Sequence, residues 1–195
     1  MLFRPLTALS AGVLFSQAVF AALTPNDVVV NVNIVTSVSA NLNSVLTGLT
    51  VSTSPQTVAT IAKTTVTDFQ TIITNLAGDV TAMEATPPFA DGVTQPVVDA
   101  LTDVHQLLLS TVIGKHGIFA QFGATAPIAA ILSSLEAGID SFAFAMIALI
   151  PTRNADVTGD QNSLDTSVGN TIALYQQICI PSLLFPALMP ICVSL

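Results

Sequence analysis

Positive charge is what this sequence has least of. Four lysines and arginines stand among 195 residues, against twelve aspartates and glutamates, for a formal net charge of −8. That balance excludes a basic patch able to neutralise nucleic-acid phosphates. Charge of either sign is sparse, at 8% where about 25% is usual. There are two histidines, His105 and His116, and neither sits in an HExxH arrangement. No GxSxG elbow and no phosphate-binding GxxxxGK[ST] loop occurs. Asp103 and His105 are two residues apart, so on a helix they diverge instead of pairing. The Asn-x-Ser/Thr acceptor for N-linked sugar is also missing. Two cysteines, Cys179 and Cys192, lie near the C-terminus with twelve residues between them. In a secreted chain such a pair reads as a disulfide, worth roughly 2–4 kcal/mol and acting mostly locally.

What is present is apolar. Hydrophobic residues make up 51% of the chain and the mean hydropathy is +0.75. With so few charges there is little polar surface to cover that excess. A ligand, a partner, a surface or sugars must dispose of it. The first 21 residues account for part: Arg4 gives a positive start, Leu6 to Phe20 is mostly apolar, and Val19-Phe20-Ala21 fits signal-peptidase cleavage after Ala21. Residues 1–21 are therefore expected to be a secretory signal peptide. Their removal takes Arg4 away and moves the charge from −8 to about −9. The remaining length fits one domain, and secretion or wall association is the expected location. Thr47 to Ser54 is a plausible O-glycosylated connector.

The chain reads as helices. Thr24-Pro25-Asn26-Asp27 is a helix start. Val28 to Val35 is β-branched and Val30, Val32 and Ile34 alternate as a strand would, yet Val35, Val38, Leu42 and Val45 keep helical spacing. Length favours a helix to about Leu46, ended by Gly48. A second helix starts at Ser54-Pro55 and stops before Pro87-Pro88. A third is expected from about Thr94 to Ile113, broken by Gly114 and Gly117. The central stretch, Thr125 to Pro151, carries Ile128, Leu132, Leu135, Ile139, Phe142, Met146 and Leu149 at steps of three and four. Ser133, Glu136 and Asp140 fall on its other, solvated face, and Phe142 to Ile150 is apolar on every side. After a polar turn at Asp156 to Asp160, a fifth helix is expected from about Asn162 to Cys179. The tail beyond carries three prolines and cannot be one helix. The fold class is all-α: an antiparallel bundle of about five helices (residues 22–178) with an irregular, disulfide-closed C-terminal tail (179–195).

Other chemistry is weak. Asp156, Asp160, Asn162 and Asp165 fail the EF-hand spacing, so a solvated loop with a helix cap is the better reading, and no metal or cofactor is expected. Glu136 and Asp140 interrupt the central apolar run well short of the roughly 18 residues that a membrane span needs. Gly169-Asn170-Thr171 before an apolar end resembles a GPI signal only loosely, because the spacer is not polar.

The middle of the chain, VVDALTDVHQLLLSTVIGKHGIFAQFGATAPIAAILSSLEAGIDSFAFAMIALIP, resembles the fungal hydrophobic surface binding protein A family, which includes cell-wall galactomannoproteins. The resemblance rests on a Trp-free, Ala/Val/Leu/Thr-rich five-helix pattern behind a signal peptide. It rests further on Leu107 to Phe119, Gly123, and Leu132 to Pro151, and it covers about residues 26–178. The cysteine-bearing tail departs from the family pattern. The resemblance implies a secreted, non-enzymatic protein that binds hydrophobic surfaces or holds a lipid, such as a fatty acid, between its helices, and that helps a secreted lytic enzyme. It carries no ligand-contacting residue over. The expected apolar lining is Phe69, Leu108, Phe142, Met146 and Leu149, with Ser110, Ser141 or Tyr175 as a polar anchor. The alternatives are a structural O-glycosylated wall mannoprotein, and an esterase-like enzyme that would need a Ser–His–acid constellation in space.

Overall fold

The first helix begins where its cap can form. The computed structural model describes residues 22–100 and 104–194, so the expected leader, Asp103 and the side chain of His105 lie outside the described residues. Thr24 Oγ1 accepts from the Asp27 N–H, and Asp27 Oδ2 accepts from the Thr24 N–H at 2.8 Å, a reciprocal capping box. Helix α1 (Pro25–Thr47) follows, with Val28, Val32, Val35, Ser39, Leu42 and Leu46 buried. Val30 and Ile34 are 48% and 50% exposed while Val32 is 4%, so the three residues that would share one strand face are split by the helix.

Ser54 caps helix α2 (Pro55–Glu84) in the same manner. The remaining helices are α3 (Gln95–Ala100), α4 (Val104–Gln121), α5 (Thr125–Leu149) and α6 (Asn154–Tyr175). Two boundaries differ from the sequence reading. The span expected as one third helix holds α3 and α4, and residues 101–103 between them lie outside the described residues. Helix α4 runs through Gly114 and Gly117, and the turn falls at Gly123, whose φ is +69°. A helical glycine costs about 1 kcal/mol relative to alanine, whereas burying each of Leu108, Leu109, Val112, Ile118 and Phe119 gains about 1.5–3 kcal/mol. Finally, Asp156 to Asp160 is not a turn but the start of α6. Asp156 lies in its first turn and pairs with Arg153 at 2.8 Å.

The five long helices form a closed ring in the order α1, α2, α5, α6, α4 and back to α1. Chain-consecutive long helices run antiparallel. Helices α1 and α4 run the same way, as Thr111 bonds Asn43 and, one turn on, Lys115 bonds the carbonyls of Thr47 and Leu49. Two buried clusters fill the ring. One centres on Leu42, Phe69, Phe119, Leu132 and Tyr175, the other on Val32, Met83, Met146, Leu149 and Val157, and Phe142 packs against both. By length and mean hydropathy α1 and α5 each meet the requirement for a membrane-crossing helix, and here both are walls of the ring.

The tail is an antiparallel hairpin of β1 (Ile178–Ile180) and β2 (Ile191–Val193), with Cys179 paired to Cys192 and bridged to it by a disulfide. It rests on α4 and the following turn. Gln121 exchanges two hydrogen bonds with the Ser182 backbone, Phe122 meets Phe185 edge-on at 5.7 Å, and Met189 Cε lies 2.5 Å from where a Cβ on Gly117 would sit. Gly117 thus serves close approach rather than helix termination.

The glycines give a paired expectation for chemical denaturation. Gly114→Ala meets open space in a helix and should stabilise by about 0.4–1 kcal/mol. Gly123→Ala forces a left-handed φ on alanine and should destabilise by about 1 kcal/mol or more.

Candidate functional site: a cavity at the centre of the ring

Five helices spaced about 8–10 Å apart around a ring have axes roughly 7–8.5 Å from its centre, while a helix with its side chains has a radius of about 5–6 Å. The centre closes only where long side chains reach inward. Phe119, Tyr175, Leu42 and Leu46 do so towards one end. Where the two clusters meet, the inward residues include Val32, Val35, Ser39, Ala143 and Val157, all short, and a cavity of about 80 Å³ remains. Phe69, Ile72, Leu76, Leu108, Leu109, Leu135, Ile139, Phe142 and Leu164 complete its apolar wall.

Of the residues expected to line a ligand site, Phe69, Leu108 and Phe142 are on this wall. Met146 and Leu149 are not; they are buried in the second cluster with Met83 and Val157. The half of α5 expected to be apolar on all sides turns one side to solvent, with Phe144 68% exposed. The polar anchors fall elsewhere too. Ser110 is exposed. Ser141 is exposed and its hydroxyl donates to the Ala137 carbonyl of its own helix. Tyr175 is buried, but its hydroxyl donates to the Val112 carbonyl at 2.7 Å, and burial raises its phenol pKa far above the ordinary value.

The polar residues on the cavity wall are Ser39, Asp79, Asp160 and Gln161. Sequence reading missed them, although the signal was present. Ser39 and Asp79 stand at inward steps of apolar stripes, Val35-Ser39-Leu42 and Leu76-Asp79-Met83. Asp79 Oδ1 accepts from Asn31 Nδ2 at 2.7 Å, while Asp79 Oδ2 is buried with no hydrogen-bond partner. Gln161 Nε2 donates to Asp140 Oδ1 at 2.8 Å. Glu136 and Asp140, expected on a solvated face, are half-buried in the α5–α6 seam near Asp165.

His116 is buried, with its ring edge-on to Tyr175 at 4.9 Å and Nε2 3.8 Å from Cys179 Sγ. Burial lowers its pKa. His116, Cys179 and Cys192 offer ligand atoms within 4.8 Å of one another, but both sulfurs are committed to the disulfide. Among the described residues no serine hydroxyl or carboxylate bonds the His116 ring.

Burial pushes the carboxyl pKa of Asp79 up, with the Asn31 bond opposing it. It does the same for Asp68, and for Asp165, where the charges of Asp140 and Glu136 add to the effect. The folded chain therefore holds these protons more tightly than the unfolded one. Stability rises as pH falls through the raised values and levels off below the ordinary 3.8. Asp27 acts oppositely: its Thr24 bonds lower its pKa, and its contribution is lost as pH falls through that value. His116 also acts oppositely, because its lowered pKa brings a penalty as pH falls below the ordinary 6.5. The carboxyl contribution is isolated by comparison: from about pH 7 to about pH 4.5 the thermal midpoint of the unmodified chain should rise more, or fall less, than that of Asp79→Asn. An identical pH dependence of the two would contradict this assignment.

No family model matches the sequence, and no curated protein matches it. Solved structures do match the fold. The crystal structure of AFMP4P in complex with palmitic acid is similar with a TM-score of 0.69 at 12% identity, over 78% of this chain and 100% of that one. Ligand binding domain 1 of the Penicillium marneffei MP1 protein, complexed with arachidonic acids, is similar with a TM-score of 0.67 at 13% identity, over 78% of this chain and 99% of that one. At such identity the likeness establishes the architecture: this chain shares the helical fold of those two ligand-binding proteins.

Proposed function

We propose that this chain is a secreted, non-enzymatic protein that holds one lipid with a single, fatty-acid-like hydrocarbon chain between its helices. The observation that carries the reading is the apolar cavity at the centre of the ring. The two proteins of similar fold, one complexed with palmitic acid and one with arachidonic acids, support it. An empty space of about 80 Å³ costs on the order of 2 kcal/mol, and each methylene placed there gains about 0.8 kcal/mol. The space is smaller than the roughly 150 Å³ that holds a benzene ring in another protein. A long chain therefore enters by pushing ring helices apart.

The test is native mass spectrometry of residues 22–195, stripped of lipid and incubated with mixed single-chain lipids. A discrete one-to-one adduct is expected. Ala143→Leu, which fills the cavity, should raise the lipid-free thermal midpoint by about 2–4 °C and remove the adduct. Absence of any adduct from the unmodified chain overturns the reading.

A second reading concerns the outer surface. Eight of the fifteen large exposed hydrophobic residues among those described belong to the hairpin: Ile178, Ile180, Leu183, Leu184, Leu188, Met189, Ile191 and Val193. No charged residue lies between Gln176 and Leu195. An apolar patch of this sort fits adsorption to a hydrophobic surface, as expected of a wall-associated protein. Depletion of the protein onto Teflon beads, halved or better by Leu183→Ser with Leu184→Ser, would support it. Equal depletion of the variant would refute it.

A further inference from the structure

We infer that the cavity selects a lipid whose head is a hydroxyl or an ammonium over one whose head is a carboxylate. This rests on the lipid-binding reading above and names the head group for that same site. The argument starts from Asp79. One of its oxygens is satisfied by Asn31, and the other is buried without a partner on a residue that lines the cavity. A buried acceptor left unsatisfied is unfavourable by roughly the cost of its desolvation, and a donor supplied by a ligand restores the loss. An O–H or N–H donating to a carboxylate makes a charge-assisted hydrogen bond, stronger than a neutral one.

A second carboxylate brought to the same place meets the opposite situation. Asp79 and Asp160 both line the cavity, and no lysine or arginine does so among the described residues. The basic residues are engaged or remote. Lys115 Nζ is held by the Leu49 carbonyl at 2.8 Å, Arg153 by Asp156 and Gln95, and Lys63 is exposed on α2. Like charges sharing an apolar site repel much more strongly than they do in water. Gln161 donates one amide N–H to Asp140, which holds its amide beside another carboxylate. The wall is thus rich in acceptors and lacks a cation, which suits a long-chain alcohol, amine or amino alcohol.

The test compares three ligands with one chain length and three heads: dodecan-1-ol, dodecylamine and dodecanoate. Each is titrated calorimetrically at pH 7 into lipid-free residues 22–195, a span that contains every described element. The alcohol and the amine should bind at least ~10-fold more tightly than dodecanoate. Asp79→Asn should weaken the amine ~10-fold and tighten dodecanoate, since the amide removes the charge but keeps the shape. Asp160→Asn, measured beside it, distinguishes the two carboxylates. Three equal affinities, or dodecanoate the tightest, would overturn the head-group inference while leaving lipid binding intact. No binding of any of the three would overturn both. The ranking on the unmodified chain decides the matter even if a variant fails to fold.

Discussion

Closure of an odd-numbered ring is the constraint on which the rest of this structure depends. Four helices can pack their side chains into a shared centre, but five stand further from the axis and leave a column that only large residues can fill. The chain fills it unevenly. Towards one end Phe119 and Tyr175 reach in, and towards the other Met83 and Met146 do. Between them several inward positions, Val32, Val35, Ser39, Ala143 and Val157, carry short side chains. The core is therefore two clusters with a gap, and Phe142, in contact with both, marks the seam. The cavity is a property of the whole ring and belongs to no single helix.

Scarcity of charge shapes the outside of the same ring. One side-chain ion pair, Arg153 with Asp156, is found among the described residues. In place of exposed salt bridges, hydroxyls bond back along their own helices: on α2 alone Thr60, Thr71, Thr74 and Thr81 each donate to the carbonyl four residues earlier. Such bonds weaken helices slightly when taken singly. They let a helix present an uncharged surface, and helix stability then comes from the buried stripe and the caps.

Much of this was legible in the sequence, and the misses share one cause. Caps and stops were read correctly at Thr24, Ser54 and Pro87 because local groups alone decide them. Gly114 and Gly117 were misread as a break because the balance there is tertiary: the burial of Leu108, Val112 and Phe119 outweighs a glycine penalty that local reasoning sees in isolation. Asp156 to Asp160 was misread for a similar reason, since Val157, inside that polar run, is buried in the core. At the cavity, Phe69, Leu108 and Phe142 of the expected lining stand on the wall, whereas Met146 and Leu149 pack in the second cluster. A cavity is made by residues that are too small, and smallness at an inward position has meaning only once the number of helices around the axis is known.

The tail hairpin rests on one helix and the turn after it, and its disulfide joins two strands of the hairpin to each other, not to the ring. No ring helix is tied to another through it. The chain is thus an interior and an attachment: substitutions in the loop between the cysteines would change what the outside offers and leave what the ring encloses. His116, Gly117 and Gln121 are the exceptions, points where a change in the attachment would be felt inside α4.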